Sequence, residues 1–262
     1  MEPDFFSALL ARLSAQFRGP MSSLYLAASR LAPAEERQQN PELDARAAAL
    51  DQSYYQVLRL TNNLAAFQSL HEPALLLNQD IAALVTEVFD QLEGYAHYRN
   101  LTARLICPME HYVCAFSQEG VQQVLWQLLS NAFKFTPPGG TVLLELARAH
   151  GQVLLSVADT GPGIPPEERA GLFQRWQPGR DVLPPHGAGL GLAICQGVAR
   201  QHDGALTLDE SYDKGCRFVF SFPDRRVNTG RFSDVQREYG GGFDPCLVAL
   251  SDALPSSAFR IF

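Results

Sequence analysis

The sequence predicts an α+β fold, with an N-terminal two-helix hairpin followed by an α/β sandwich of helices layered on a sheet. Three observations predict it. Apolar side chains recur at steps of three and four through the first seventy residues, the period of a helical seam. From residue 101 onward, short alternating stretches are interleaved with helical ones. Two glycine-rich strings, SVADTGPGI at 156–164 and HGAGLGLAI at 186–194, flank a stretch of mixed composition.

In the first helix, Phe6, Leu10, Leu13, Phe17, Leu24, Ala28 and Leu31 form the seam, and Pro20 should bend it. APAEERQQNPE (32–42) is polar, carries two prolines and reads as a turn. The second helix runs from about Leu43 to Leu70, with Leu50, Tyr54, Val57, Thr61 and Leu64 on its stripe. Two helices alone leave part of such a stripe uncovered, so a symmetric dimer completing a four-helix bundle is expected. His71–Asn78 reads as a linker and Asp80–His97 as a helix.

Leu101–Cys107 and Tyr112–Cys114 follow as strands. Gln118–Phe135 is a helix with Ser117 as its N-cap, and TPPGG (136–140) is a turn. Thr141–Arg148 and Gln152–Ala158 pair as strands, Leu190–Gln201 is a helix, and Gly204–Asp209 and Arg217–Phe222 close the sheet. The tail is polar and arginine-rich before GGG at 240–242, and CLVALSDALP (246–255) then makes one short helix. The expected divisions are 1–72, 73–223 and 224–262.

Bulk properties narrow the classes. A chain of 262 residues suggests one or two domains, and 46% hydrophobic content is ordinary for a folded protein. A net charge of −7 argues against broad attraction to nucleic acid or anionic lipid. No apolar run has the length of a membrane span, and the acidic start MEPDFFSALLARL lacks a secretion pattern. The five cysteines show no metal-ligand spacing, and an odd count without a leader fits reduced thiols in the cytoplasm.

The glycine-rich strings carry the chemistry. Glycines let backbone N–H groups approach phosphate oxygens, and the second string opens into a helix whose N-terminus favours negative charge. Asp159 only accepts hydrogen bonds when ionised, which suits an exocyclic amine such as adenine's. The helix at 118–135 adds Gln127, Asn131 and Lys134 on one face, at i, i+4 and i+7. The Asn131 amide oxygen is a hard ligand of the kind Mg²⁺ uses beside substrate phosphates, and Lys134 can neutralise a phosphate. Taken alone, that face reads rather as an ordinary solvated one. Between the strings, LFQRWQPGRDVLPPH (172–186) has the composition of a lid, from which Arg175 or Arg180 would reach phosphates or simply face solvent.

In order and spacing these segments resemble the sensor histidine kinases of two-component signalling. More broadly they are similar to the ATP-binding fold shared with gyrase, the Hsp90 chaperones and MutL. QVLWQLLSNAFKFTP (123–137) resembles the family's asparagine-bearing helix, DTGPGI (159–164) its adenine-contacting loop and LFQRW (172–176) its lid segment. GAGLGLAI (187–194) resembles its second glycine loop, and KGCRFVFSFP (214–223) its closing strand. The resemblance implies ATP and Mg²⁺ as cofactors. It places Asn131 on the metal, Lys134 near the phosphates and Asp159 on adenine, with Gly161 and Gly163 shaping the adenine pocket. Gly187, Gly189, Leu190 and Gly191 would present the phosphate-binding loop. Gln127 stands where the family usually has a further asparagine.

The upstream helix departs from the family. Its usual Leu-Ser-His-Glu-Leu-Arg-x-Pro-Leu string reads LSAQFRGPM here, at 13–21. Leu13, Ser14, Arg18 and Pro20 hold the register, while Ala15 occupies the histidine position and Gln16 the glutamate position. Alanine has no nucleophilic atom and glutamine is no proton acceptor, so this position cannot take a phosphoryl group. The polar residue that the family's phosphatase activity uses one turn later is Gly19 here, which speaks against that activity too. The resemblance thus implies a pseudokinase-like regulatory homodimer, joined through its N-terminal helices, that works on a response regulator or partner kinase within a phosphorelay. The alternative is an ATPase, or a kinase acting on a partner's histidine or serine in trans.

Overall fold

The structure, a computed structural model, describes residues 3–169, 172, 189–228 and 243–261. Helix α1 (Pro3–Leu31) runs on through Pro20 as one helix. The expected turn at 32–42 instead holds a short helix, α2 (Ala34–Gln39). Pro33 presets its entry, Glu35 and Glu36 suit its first turn, and Arg37 sits near its end. Helix α3 (Pro41–Ser69) starts just beyond, because Asn40 Oδ1 accepts from the N–H groups of Glu42 and Leu43 and Pro41 sits at the first helical position. Helices α1 and α3 pack side by side, with the rings of Tyr25 and Tyr54 4.6 Å apart.

The supposed linker ends in a strand, β1 (Leu77–Asp80), which pairs antiparallel with β3 (Val113–Phe116). Between them come α4 (Ile81–Ala96), a 3₁₀ turn and β2 (Thr102–Ile106). Asp80 caps α4 by accepting from the N–H groups of Ala82 and Ala83. The chain continues through α5 (Gln118–Phe135), β4 (Thr141–Ala149), β5 (Gln152–Asp159) and a single turn of helix, α6 (Pro166–Arg169). It resumes with α7 (Leu190–Gln201), β6 (Ala205–Leu208), β7 (Arg217–Pro223) and α8 (Pro245–Leu250), and ends in a 3₁₀ turn at Ser256–Phe259.

The main sheet has the order β2-β4-β5-β7-β6, parallel between β2 and β4 and antiparallel elsewhere. One face alternates inward with Val142, Leu144 and Leu146, Val153, Leu155 and Val157, and Phe218, Phe220 and Phe222. These side chains share one core with Leu125, Leu129, Trp126 and Phe133 of α5 and with Ile81, Val85 and Val88 of α4. The other face carries the Arg217–Glu145 ion pair at 2.6 Å.

Helix α8 is the short helix expected in the tail, capped by Asp244. It packs against α5 and α3, so the C-terminal segment lies in the seam between the hairpin and the sandwich. Among the described residues, no helix is long and apolar enough to cross a membrane.

Candidate nucleotide site

Three helices meet at the sequence-predicted face of α5. The N-terminal end of α5 is fixed by Ser117, whose Oγ accepts from Gly120 N–H and whose own N–H donates to His202 Nε2 at 3.0 Å. His202 Nδ1 lies 2.8 Å from the Val198 carbonyl, which makes Nδ1 the protonated nitrogen. Burial holds its pKa below the usual imidazole value, so the ring is the neutral strut between α5 and α7. At its other end, α7 starts from Gly189, whose φ of 67° is left-handed. Gly191 lies so close to α5 that a Cβ there would be 2.9 Å from Gln127 Oε1. The first N–H groups of α7, which have no partner within the helix, are thereby brought to the face of α5 that also carries Asn131.

The acidic residue closes the far side. Asp159 ends β5 and is buried. Its Oδ1 accepts from Gly161 N–H at 2.8 Å and Cys216 N–H at 3.3 Å. Burial raises its pKa, and these two donors pull the other way. Both bonds fall on Oδ1. Gly215 brings the β7 entry loop into contact here: a Cβ would lie 2.2 Å from the Asp159 carbonyl oxygen, so only glycine fits. Gly161 rests on the last turn of α5, against Phe135, and Gly163 has a φ of 73°. Cys216, beside the carboxylate, has its thiol pushed up to about 11 by burial and by Asp159.

Asn131 is half-buried, two residues from the Phe133 core. Among the described residues no group of three His, Cys, Asp or Glu side chains gathers as a metal site. A single amide oxygen fits Mg²⁺ only as an ion carried in with phosphates, keeping several waters, and that is the donor set present. Lys134 is half-buried near the α5 C-terminus. Burial pushes its amine pKa down, Asp252 pulls it up and Arg59 lowers it further.

The structure therefore brings together Asn131, Lys134, Asp159, Gly161, Gly163, Gly189, Leu190 and Gly191 around one end of α5 and α7. Gly187, Arg175, Arg180 and nearly all of the 172–186 stretch lie outside the described residues. Ala15 and Gln16 lie on α1, and the Gln16 side chain is exposed. The hairpin's part was not foreseen. Asn63 of α3 accepts from Gln123 Nε2 at 3.2 Å and from Gln127 Nε2 at 2.5 Å. The only hint was a polar run, Thr61-Asn62-Asn63, on the apolar stripe of α3. Beyond it, Gln201 of α7 donates to the Ser69 and Glu72 carbonyls at the end of α3.

Residues 117–226 match the family described as "Histidine kinase-, DNA gyrase B-, and HSP90-like ATPase". The chain is 29% identical over 225 residues to the adaptive-response sensory kinase SasA of Rippkaea orientalis, covering 82% of this chain and 57% of that protein. It is 28% identical over 230 residues to the circadian input-output histidine kinase CikA of Synechococcus elongatus, covering 83% and 30%. Among solved structures it is similar to full-length ShkA in complex with AMPPNP, with 29% identity and a TM-score of 0.66 over 84% of this chain and 46% of that one. The chain thus spans little more than half the length of these relatives, or less.

Proposed function

Given a sensor-histidine-kinase-like chain with an ATPase domain of the histidine kinase, gyrase B and HSP90 type at residues 117–226, we propose that it binds Mg-ATP but does not phosphorylate itself at the usual position. It acts instead as a regulatory dimer on a response regulator or partner kinase of two-component signalling. The observation that carries the nucleotide half is the meeting of three features at one end of the sandwich: Asn131 and Lys134 on α5, the α7 N-terminus, and the buried Asp159.

Asp159 Oδ2 accepts from the adenine amine while Oδ1 stays on Gly161 and Cys216. The free N–H groups at Gly189–Gly191 and the Lys134 amine face the phosphates, and the Asn131 oxygen takes one position on the ion. The ion would supply charge neutralisation between phosphate oxygens. Ala15 offers no atom to receive a phosphoryl group.

The hairpin supports the dimer. Phe17, Leu24 and Leu31 on α1, spaced at sevens, and Leu50, Val57 and Leu60 on α3 stay exposed, apolar side chains that a second copy would cover.

Calorimetry with Mg-ATP, paired with γ-labelled ATP and acid- and base-stability tests of any label, checks the reading. Saturable binding with no label on the chain is the expected result. No binding overturns it, and so does a phosphohistidine on the purified protein. Label passed to an added partner's histidine or serine would favour an active enzyme in trans.

A further inference from the structure

The C-terminal segment reaches the proposed phosphate end of the nucleotide site. Along α3, Gln52 Nε2 donates to the carbonyls of Ser251 and Leu254 at 3.1 and 2.8 Å, and Gln56 Nε2 donates to Ser251 at 3.2 Å. These bonds seat the turn after α8 on the hairpin. They aim Asp252 at Arg59, and Asp252 Oδ2 lies 2.9 Å from Arg59 Nη1. The Arg59 side chain is 10% exposed, so this ion pair is largely dry on the cation's side.

Arg59 lies one turn before Asn63, which is bonded to Gln127. Moving back along α3 from Asn63 brings Arg59 to the Lys134 end of α5. Both Arg59 and Asp252 act on the Lys134 charge there. Arg59, paired with the Asp252 carboxylate, is thus carried to the end of α5 that bears Lys134, beside the face proposed to meet phosphates. An arginine fork with a neighbouring lysine is a donor set for phosphate as much as for carboxylate.

We propose that Arg59 belongs to the phosphate site, and that Asp252 is an internal stand-in holding that place until a nucleoside triphosphate displaces it. The proposal deepens the nucleotide reading and rests on it. Displacement breaks the Arg59–Asp252 pair and weakens the hold of residues 244–261 on α3. By linkage, triphosphate binding loosens the segment as much as the segment weakens triphosphate binding. A ligand without phosphates leaves the pair alone.

The test uses the full chain and two ligands, Mg-ATP and adenosine. Asp252→Asn should bind Mg-ATP about fivefold tighter, the scale of one partly exposed charge pair, with adenosine affinity unchanged. Arg59→Gln should weaken Mg-ATP by at least as much and leave adenosine unchanged. In the unmutated chain, saturating Mg-ATP should speed amide hydrogen exchange across 244–261, and adenosine should not. Equal Mg-ATP affinity with and without Asp252, or exchange in that segment unchanged or slowed by Mg-ATP, overturns the proposal while leaving the nucleotide reading standing. If neither ligand binds any variant, both fall together.

Discussion

Asn63 and Gln127, one on each side of the seam between hairpin and sandwich, are joined amide to amide, with Gln127 Nε2 donating to Asn63 Oδ1 at 2.5 Å. Both side chains are nearly dry, and Gln123 shares the same acceptor. The residue that departs from the family's asparagine is therefore committed to α3, where its extra methylene gives it reach.

Replacing Asn63 by Leu removes the acceptor and strands two buried amide donors. The expected cost is about 2 kcal/mol, read from denaturant unfolding. Asn63→Asp keeps an acceptor for both donors and should cost less. Equal losses in the two variants would mean that shape, not hydrogen bonding, holds the seam.

Asp159→Asn should separate stability from binding. The folded pKa of Asp159 is raised by burial, so its contribution is present below the unfolded value near 4 and is lost as pH rises through the folded value. At neutral pH the charge is thus a net cost to the fold. Asparagine keeps Oδ1 for Gly161 and Cys216 but presents an N–H₂ where adenine needs an acceptor. Thermal melting at pH 7 should stay level or rise, while Mg-ATP affinity falls at least about tenfold. A lower melting point with intact binding would contradict the assignment.

Two histidines should shape the pH profile of stability in opposite senses. His202 has a folded pKa lowered by burial, so its contribution is present above about 6.5 and is lost as pH falls toward the folded value. His111 has a pKa raised by its bond to Asp80, so its contribution is present below about 6.5 and is lost as pH rises through the folded value. His202→Phe should flatten the acid limb, at a cost of about 1–3 kcal/mol from the stranded Ser117 N–H. His111→Gln should flatten only the other limb. Melting curves between pH 5 and pH 8 decide it, and an unchanged acid limb in His202→Phe would remove His202 from the account.

Restoring Ala15→His and Gln16→Glu together should return autophosphorylation, detected as acid-labile, base-stable label from γ-labelled ATP. Ala15→His alone should give less, since Gln16 takes no proton from the imidazole. Silence in the double variant, with Mg-ATP binding measured in the same sample, would place a second defect beyond this helix.

The elements with a strong period or a clear cap were legible. Helix α5 begins and ends where Ser117 and the run to Phe135 place it, and β4, β5 and β7 follow their alternation. Strand β1 was not, because LNQD is too short and polar to alternate, and only its pairing with β3 makes it a strand. Helix α2 was hidden by prolines that read as breakers but serve as starters. The glycine strings and Asn131 were visible as chemistry. Asn63, Arg59 and Asp252 were not, because each takes its meaning from partners supplied by a distant part of the chain.

That distance shapes how the molecule must be born. Arg37 is held in salt bridges by Asp44 and Asp51, its neighbours in sequence, yet it also donates to the Phe259 carbonyl, 222 residues away. On the ribosome the first helices emerge long before this acceptor does. The nascent hairpin must therefore wait, with its turn half-dressed, until residue 259 has left the exit tunnel.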